Sequence, residues 1–217
     1  ELQHTQAEPG LVVLGSLLEA AFQGLRALGQ LTVEQILLSQ RRILAATVGD
    51  VRIVNLYVVN GSEVGSEKFD YKLQWLQGVT GWLAGELRQH PNMVVLGDFN
   101  IAPDDRDVYD PAEWREKILC STPEREALGR ILELGLRDTF RLFDQAPGVF
   151  SWWDYRMNMF RRKLGLRIDL LLVSAAMAQR CTASYVDLEP RRQERPSDHA
   201  PVIAEFSWSN ATGGAGH

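Results

Sequence analysis

The residues with the clearest capacity for chemistry are Asp98 and Asn100, which follow the short apolar segment 93–96 (MVVL). Side chains two residues apart in an extended backbone point to the same side, so their oxygens would serve one site. Taken alone, the segment is more typical of a turn, because glycine, aspartate and asparagine all favour turns.

A second acidic residue, Asp169, lies within the apolar segment 166–173 (LRIDLLLV). A buried carboxylate is costly unless it is paired or hydrogen-bonded, so Asp169 needs a partner. One interpretation is a structural ion pair with Arg167 or another arginine. The other is a carboxylate that orients a catalytic histidine. Of the four histidines, only His199 is placed like a catalytic group, in the proline-flanked polar loop 195–201.

Aromatic and basic residues lie close together in a third region, where segment 150–156 (FSWWDYR) precedes Arg161, Arg162, Lys163 and Arg167. Such a combination suits stacking on bases or sugars together with phosphate contacts. A solvated basic loop beside core aromatic residues is the alternative, and for Trp153 a place in the core is favoured.

The composition is that of a folded protein, with 45% hydrophobic and 24% charged residues, and no apolar run is long enough to span a bilayer. Two cysteines, Cys120 and Cys181, exclude a disulfide scaffold and a multi-cysteine zinc site. The net charge of -5 excludes a broad basic coat for nucleic acid, so any DNA groove must be local, around 152–167. No leader pattern opens the chain, and we expect a cytoplasmic protein.

The elements that must position these residues follow from turn residues and periodicity. Two apolar segments around Gly49-Asp50 predict a β-hairpin. Apolar residues recur at helical spacing over 11–28 and 66–90, and Ser66 is a plausible N-cap. Further helices are predicted at 123–134 and 175–180, and strands at 93–99, 166–173, 182–188 and 201–206, with a strand or strand end at 148–156. The sequence therefore predicts one α+β domain over 1–209, with a mobile glycine-rich tail at 210–217.

Six segments together resemble the exonuclease III branch of the endonuclease/exonuclease/phosphatase family. They lie at 55–61 (NLYVVNG), 65–76, 94–111, 150–156, 166–174 and 195–206, in the family's order. The GDFN, RID and SDH motifs within them are highly specific in combination. The resemblance covers 41–206 and implies a four-layer α/β sandwich, two packed mixed β-sheets flanked by helices. It also implies hydrolysis of duplex DNA at abasic sites and 3′ ends with Mg²⁺ or Mn²⁺.

The resemblance also implies roles for individual residues. Asp98 would be the general base, Asn100 would orient the phosphate, Tyr57 would contact it, and His199, held by Asp169, would stabilise the transition state. The implied metal ligands are Asp198, Asp98 and Asn100, with His4 as a further candidate. The implied DNA contacts are Trp152, which would line the pocket for the base-free sugar, and Arg156, Asn60 and Arg167.

The start of the chain departs from the family pattern. The family's first strand, with a catalytic Asn, and its first helix have no counterpart, and His4 stands where the family has a metal-binding Glu. By the same alignment, 22–25 (FQGL) would be a strand, in conflict with a helix over 11–28. One hypothesis is therefore an active but N-terminally incomplete or rearranged enzyme, and the other is a relative that binds DNA without cleaving it. A phosphatase for small phosphoesters ranks last.

The missing strand also bears on assembly. A monomer is expected from the family, but an open sheet edge also allows an edge-paired or swapped dimer.

Overall fold

A computed structural model describes residues 11–14 and 42–208. Its strands are β1 (Leu11–Leu14), β2 (Ile43–Val48), β3 (Val51–Tyr57), β4 (Met93–Asp98), β5 (Arg137–Asp138), β6 (Asp169–Val173), β7 (Cys181–Val186) and β8 (Val202–Phe206). Its α-helices are α1 (Glu67–Gln89), α2 (Pro111–Trp114), α3 (Thr122–Leu132) and α4 (Ala175–Ala178).

The strands form two sheets. One has five strands in the order β2-β3-β4-β6-β5, and the other has three in the order β1-β8-β7. The larger sheet is mixed, because β3 and β4 run parallel while its other neighbours are antiparallel. The predicted α+β class, with two sheets and flanking helices, is confirmed.

Apolar side chains of both sheets meet in one core. Val94 and Leu171 of the large sheet share a buried cluster with Val202, Ala204 and Phe206 of the small sheet. The opposite face of the large sheet packs against α1 and α3 in a second cluster. The large sheet is therefore buried on both faces, which explains the almost unbroken apolar runs of its central strands.

Several local predictions hold. β2 and β3 pair antiparallel with Val48 opposite Val51, which leaves Gly49, at φ +60°, and Asp50 in the turn. α1 begins after Ser66, whose Oγ accepts a hydrogen bond from the backbone N–H of Phe69 at 3.2 Å.

The helix predicted over 11–28 is wrong at its first residues. Leu11–Leu14 is a strand that pairs antiparallel with β8, Leu11 opposite Phe206 and Leu14 opposite Ile203. Pairing with β8 gives hydrogen-bond partners to the backbone groups along this side of β8, which a helix at 11–14 would not do. Tertiary context therefore overrides the helical periodicity. The rest of that prediction and the alternative strand at 22–25 lie outside the described residues.

No helix among the described residues is long and apolar enough to cross a membrane. The extent of the single domain and the mobile tail stay predictions.

Candidate active site

Sheet register gathers the first residues of the site. Tyr57 is the Cα partner of Asp98 in the parallel pair of β3 and β4. Asp98 is in turn the Cα partner of Asp169 in the antiparallel pair of β4 and β6. Three residues that lie far apart in the sequence therefore lie side by side at one end of the central strands, which is the edge of the sheet meant below.

Gly97 permits the close approach of β4 and β3 at this edge. Its φ is +128°, and a Cβ at this position would lie 2.0 Å from the carbonyl oxygen of Leu56. Only glycine fits, because any side chain would push the two strands apart and move Asp98 away from its neighbours.

The loop that carries His199 is held against the same edge by backbone contacts. Trp152 forms isolated bridges with both Leu166 and His199, and the N–H of Ala200 donates to the carbonyl of Ser151 at 2.7 Å. Trp153 adds a hydrogen bond from its N–H to the carbonyl of Asp198 at 3.0 Å. The aromatic segment thus fixes the loop in place.

His199 is the partner of Asp169. Its Nδ1 lies 2.8 Å from Asp169 Oδ2, which decides between the two partners that the sequence left open. Burial alone would lower the pKa of the imidazole, but the hydrogen bond and charge of Asp169, with Asp98 and Asp198 nearby, raise the pKa of His199 to about 9. The ring is therefore a cation at neutral pH, with Nδ1 committed to Asp169 and Nε2 left to face a substrate.

Asp98 is poised near neutrality. Burial and the negative charge of Asp169 raise the pKa of its carboxyl to about 7, against the opposing charge of His199 and a backbone hydrogen bond from Asn100. A carboxyl with such a pKa is matched to the work of a general base at neutral pH.

Hydrogen bonds hold both the backbone and the side chain of Asn100 in place. Its N–H and its Nδ2 donate to the two carboxylate oxygens of Asp98, both at 2.8 Å, and Nδ2 also donates to the carbonyl of Val58 at 3.0 Å. Its Oδ1 accepts a hydrogen bond from Asn60 Nδ2 at 3.0 Å. The backbone takes φ +50°, a conformation that asparagine tolerates better than most residues.

Four further predicted residues, Tyr57, Trp152, Asn60 and Arg156, differ in exposure and contacts. Tyr57 is 53% exposed, and the guanidinium of Arg42 lies 4.8 Å from the centre of its ring. The indole Nε1 of Trp152 donates to Asp198 Oδ2 at 3.1 Å. Asn60 and Arg156 are exposed. Trp152 therefore both borders the site and holds the carboxylate of Asp198.

The prediction that Arg167 contacts DNA is wrong. Its side chain is fully buried and forms ion pairs with Asp107 at 2.6 Å and with Asp138 at 2.7 Å. A guanidinium in this position cannot reach a phosphate, and it binds the acidic loop before α2 to the start of β6.

The donor atoms suit a hard divalent cation in part. Asp98, Asn100 and Asp198 offer the oxygens that Mg²⁺ and Mn²⁺ prefer. Within the described residues, however, no group of three or more histidine, cysteine or acidic side chains could hold a metal. The described residues therefore offer part of a coordination shell, and the further candidate His4 lies outside the described residues.

Three buried residues of the site escaped the sequence analysis. Ser151 Oγ accepts the backbone N–H groups of Ile168 and Asp169, both at 3.0 Å, and so sets where β6 begins. Lys72 and Glu124 form a buried ion pair beneath Asn100. A lysine in the apolar face of a predicted helix was the signal that could have revealed the pair.

Comparison with known proteins identifies the group to which these motifs belong. The sequence profile of the endonuclease/exonuclease/phosphatase family matches residues 25–199. Exodeoxyribonuclease III of Haemophilus influenzae is 37% identical over 180 residues, which are 77% of this chain and 67% of that protein. The chain thus spans about two thirds of the length of this relative.

Two solved structures share the fold. The 3′-5′ exonuclease (NExo) from Neisseria meningitidis is 46% identical with a TM-score of 0.78, and the match covers 94% of this chain and 73% of that one. The 3′ phosphatase NExo from Neisseria, bound to product DNA hairpin, is 45% identical with a TM-score of 0.77 and the same coverage. The resemblance that the sequence motifs indicated is confirmed, and so is the prediction of a nuclease-type hydrolase. The chain belongs to the endonuclease/exonuclease/phosphatase family, in its exonuclease III branch.

Proposed function

We propose that this chain hydrolyses phosphodiester bonds in duplex DNA with the help of Mg²⁺ or Mn²⁺, at abasic sites and 3′ ends. The observation that carries the proposal is the lateral alignment of Tyr57, Asp98 and Asp169, with His199 bound to Asp169 at 2.8 Å. This arrangement supports a general base, Asp98, and a cation, His199, at one end of these strands. Both are needed to attack a phosphodiester with water.

Asp98 is the general base. Water is a weak nucleophile, so a carboxylate must take its proton as the new bond to phosphorus forms. The two hydrogen bonds from Asn100 to Asp98 keep the carboxylate in one orientation, and the pKa of about 7 lets it hold the proton that it receives.

His199 stabilises the charge that builds on the phosphate. Its Nδ1 is bound to Asp169, so its Nε2–H is free to donate to a phosphate oxygen. Because the imidazolium is already charged and oriented, it needs no rearrangement when the transition state forms. Tyr57, at the same edge and largely exposed, provides a further hydroxyl donor for the phosphate or the leaving oxygen.

Asp198 would hold the divalent cation, with Asp98 and Asn100 as further oxygen donors. When bound, the cation would supply Lewis-acid stabilisation of the negative phosphate oxygens. The hydrogen bond from Trp152 to Asp198 fixes the rotamer of that carboxylate, as supporting contacts around metal ligands generally do.

DNA would lie across the partly buried Trp152 and the exposed Arg156 and Asn60. Trp152 offers an aromatic wall for a sugar without its base, Arg156 offers a charge for the backbone, and Asn60 offers an amide next to Asn100. The DNA hairpin bound by the Neisseria relative supports a nucleic-acid partner of this kind.

A cleavage assay tests the proposal. The purified chain is incubated with end-labelled duplexes that carry either an internal abasic site or a recessed 3′ end, in Mg²⁺, in Mn²⁺ and in a chelator. We expect incision or 3′ trimming with a metal and none with the chelator. Duplex binding with no cleavage in either metal would instead establish the hypothesis of a relative that binds without cutting.

A further inference from the structure

Lys72 occupies an unusual position for a lysine on a long surface helix. Its side chain is fully buried, and its ammonium donates to the carbonyl oxygens of Asn60 at 3.0 Å and Asn100 at 2.8 Å. Its third partner is the carboxylate of Glu124. All three donors of the ammonium are therefore used, two of them on the backbone of loops that reach the site.

Glu124 fixes the position of the ammonium. Its side chain is also fully buried, and it accepts hydrogen bonds from the N–H of Leu119 at 3.1 Å, the N–H of Ser121 at 3.1 Å and Ser121 Oγ at 2.6 Å. The hydrogen bond from the N–H of Ser121 belongs to the capping box of α3. The pair thus ties α1, the start of α3 and the two asparagine loops together.

A buried ion pair of this kind is a poor device for stability. The cost of removing two charges from water offsets most of their attraction, and apolar residues of similar size commonly stabilise a protein as well. An apolar residue, however, could not bind two carbonyl oxygens. The feature that Lys72 provides is therefore the convergence of the backbones of Asn60 and Asn100.

That convergence bears directly on Asp98. Asn60 and Asn100 join through their side chains at 3.0 Å, and Asn100 binds both oxygens of Asp98 from a backbone with φ +50°. The ammonium of Lys72 donates a hydrogen bond to the backbone carbonyl of Asn100. A shift of the Asn100 backbone would therefore move its N–H and its carboxamide away from the carboxylate.

We infer that Lys72, fixed by Glu124, is a positioning residue for the hydrolysis: it holds Asn100 in the backbone conformation that orients Asp98. The inference rests on the function proposed above. Lys72 touches no reacting atom in this account, and its contribution passes through Asn100.

The test replaces the pair by neutral residues, Lys72→Met with Glu124→Gln, so that no unpaired charge is buried. The matched control is Arg52→Met with Glu86→Gln. This second buried pair, with Nε–Oε2 at 2.7 Å, also ties α1 to the sheet. It lies at the far end of the strands, where Arg52 stands opposite Met93, the first residue of β4.

We expect the Lys72/Glu124 variant to lower kcat about 10- to 100-fold, since small misplacements of catalytic groups cost that much. KM should change by less than about twofold, because no substrate contact is removed. The Arg52/Glu86 variant should show a comparable change in melting temperature with kcat unaltered. If both variants lose kcat in proportion to stability, the inference is overturned.

A double-mutant cycle identifies the route. In an Asn100→Ala background, neutralising Lys72 and Glu124 should cost less than about threefold more in kcat, because residues that act through one another are not additive. A full, independent loss in that background would overturn the inference.

A spectroscopic readout separates this inference from the proposed function. The side-chain amide signals of Asn100 should shift in the Lys72/Glu124 variant and stay in place in the Arg52/Glu86 variant. This comparison needs no cleavage. An inactive wild-type chain would overturn the proposed function alone, whereas unmoved Asn100 signals would overturn the positioning role.

Discussion

Asp98 and Asp169 lie directly opposite each other in the antiparallel pair of β4 and β6. Like charges that lie directly opposite each other in a sheet repel, so the pairing of β4 and β6 holds the two carboxylates together at a cost in free energy. The imidazolium of His199, bound to Asp169, and the donors of Asn100, bound to Asp98, offset the repulsion. The register of β4 and β6 therefore brings the proposed base, Asp98, next to Asp169, which binds the proposed cation, His199.

The first prediction concerns the charge on His199. In the metal-free protein, an NMR titration of the imidazole should give a pKa of about 9. Asp169→Asn should lower that pKa, because burial then acts on the ring with no carboxylate at Nδ1 to oppose it. An imidazole pKa that is the same in wild type and variant would show that Asp169 does not control the histidine.

A second prediction concerns stability against pH. The pKa of His199 is raised from 6.5 in the unfolded chain to about 9 in the fold. Its contribution to stability is therefore full below about pH 6.5 and is lost as pH rises through about 9.

The size of this effect is about 3 kcal/mol, because the pKa of His199 differs by about 2.5 between the unfolded and the folded chain. Asp98 acts in the same direction, because its pKa is raised from 3.8 to about 7 and its contribution is lost over that lower range. Chemical denaturation at pH 6.5 and pH 9.5 should show the loss in wild type and a smaller one in His199→Gln. Equal losses in both proteins would contradict the assignment.

A third prediction tests the close approach of β3 and β4. Gly97→Ala places a Cβ 2.0 Å from the Leu56 carbonyl oxygen at φ +128°, and should destabilise the fold by about 3–5 kcal/mol. Gly78→Ala is the matched control, since a Cβ there meets nothing within 4 Å on helix α1. That variant should gain up to about 1 kcal/mol from helix propensity. Thermal melting of the two variants checks both signs.

A fourth prediction separates two arginines that lie eleven positions apart. Arg156→Ala removes an exposed charge and should weaken duplex binding, with a decrease of about one in the salt slope and a small change in melting temperature. Arg167→Ala leaves the half-buried Asp138 without its ion-pair partner and the buried Asp107 with Arg141 alone, and should cost about 3–5 kcal/mol of stability. Salt-dependent binding and melting curves measure the two effects. A folded, stable Arg167→Ala with weakened DNA binding would contradict the assignment of a structural role.

Much of the scaffold could be predicted because the information is local. The hairpin around Gly49, helix α1 after Ser66 and the buried strand before Asp98 each have a periodicity or a turn residue that tertiary contacts reinforce. The strand at Leu11–Leu14 could not be predicted from its own residues, since its partner is the edge of β8, almost two hundred positions away.

The errors at the site have a similar origin. Strand alternation would place Arg167 and Asp169 on one side, but β6 begins only at Asp169 because Ser151 captures the N–H groups of Ile168 and Asp169. Arg167 precedes the regular strand and turns inward to Asp107. Lys72 and Glu124 lie 52 positions apart, so no pattern in the local sequence could predict that they form an ion pair. The metal ion, the oligomeric state and a cytoplasmic location stay predictions.

The most direct test of the central claim is the single-turnover cleavage rate of an abasic-site duplex by Asp98→Asn in saturating Mg²⁺. The substitution keeps the size of the side chain and removes the base, so the rate should fall by about 10²- to 10⁴-fold while duplex binding and the fold are retained. A rate within about twofold of wild type would contradict the assignment of Asp98 as the group that activates water.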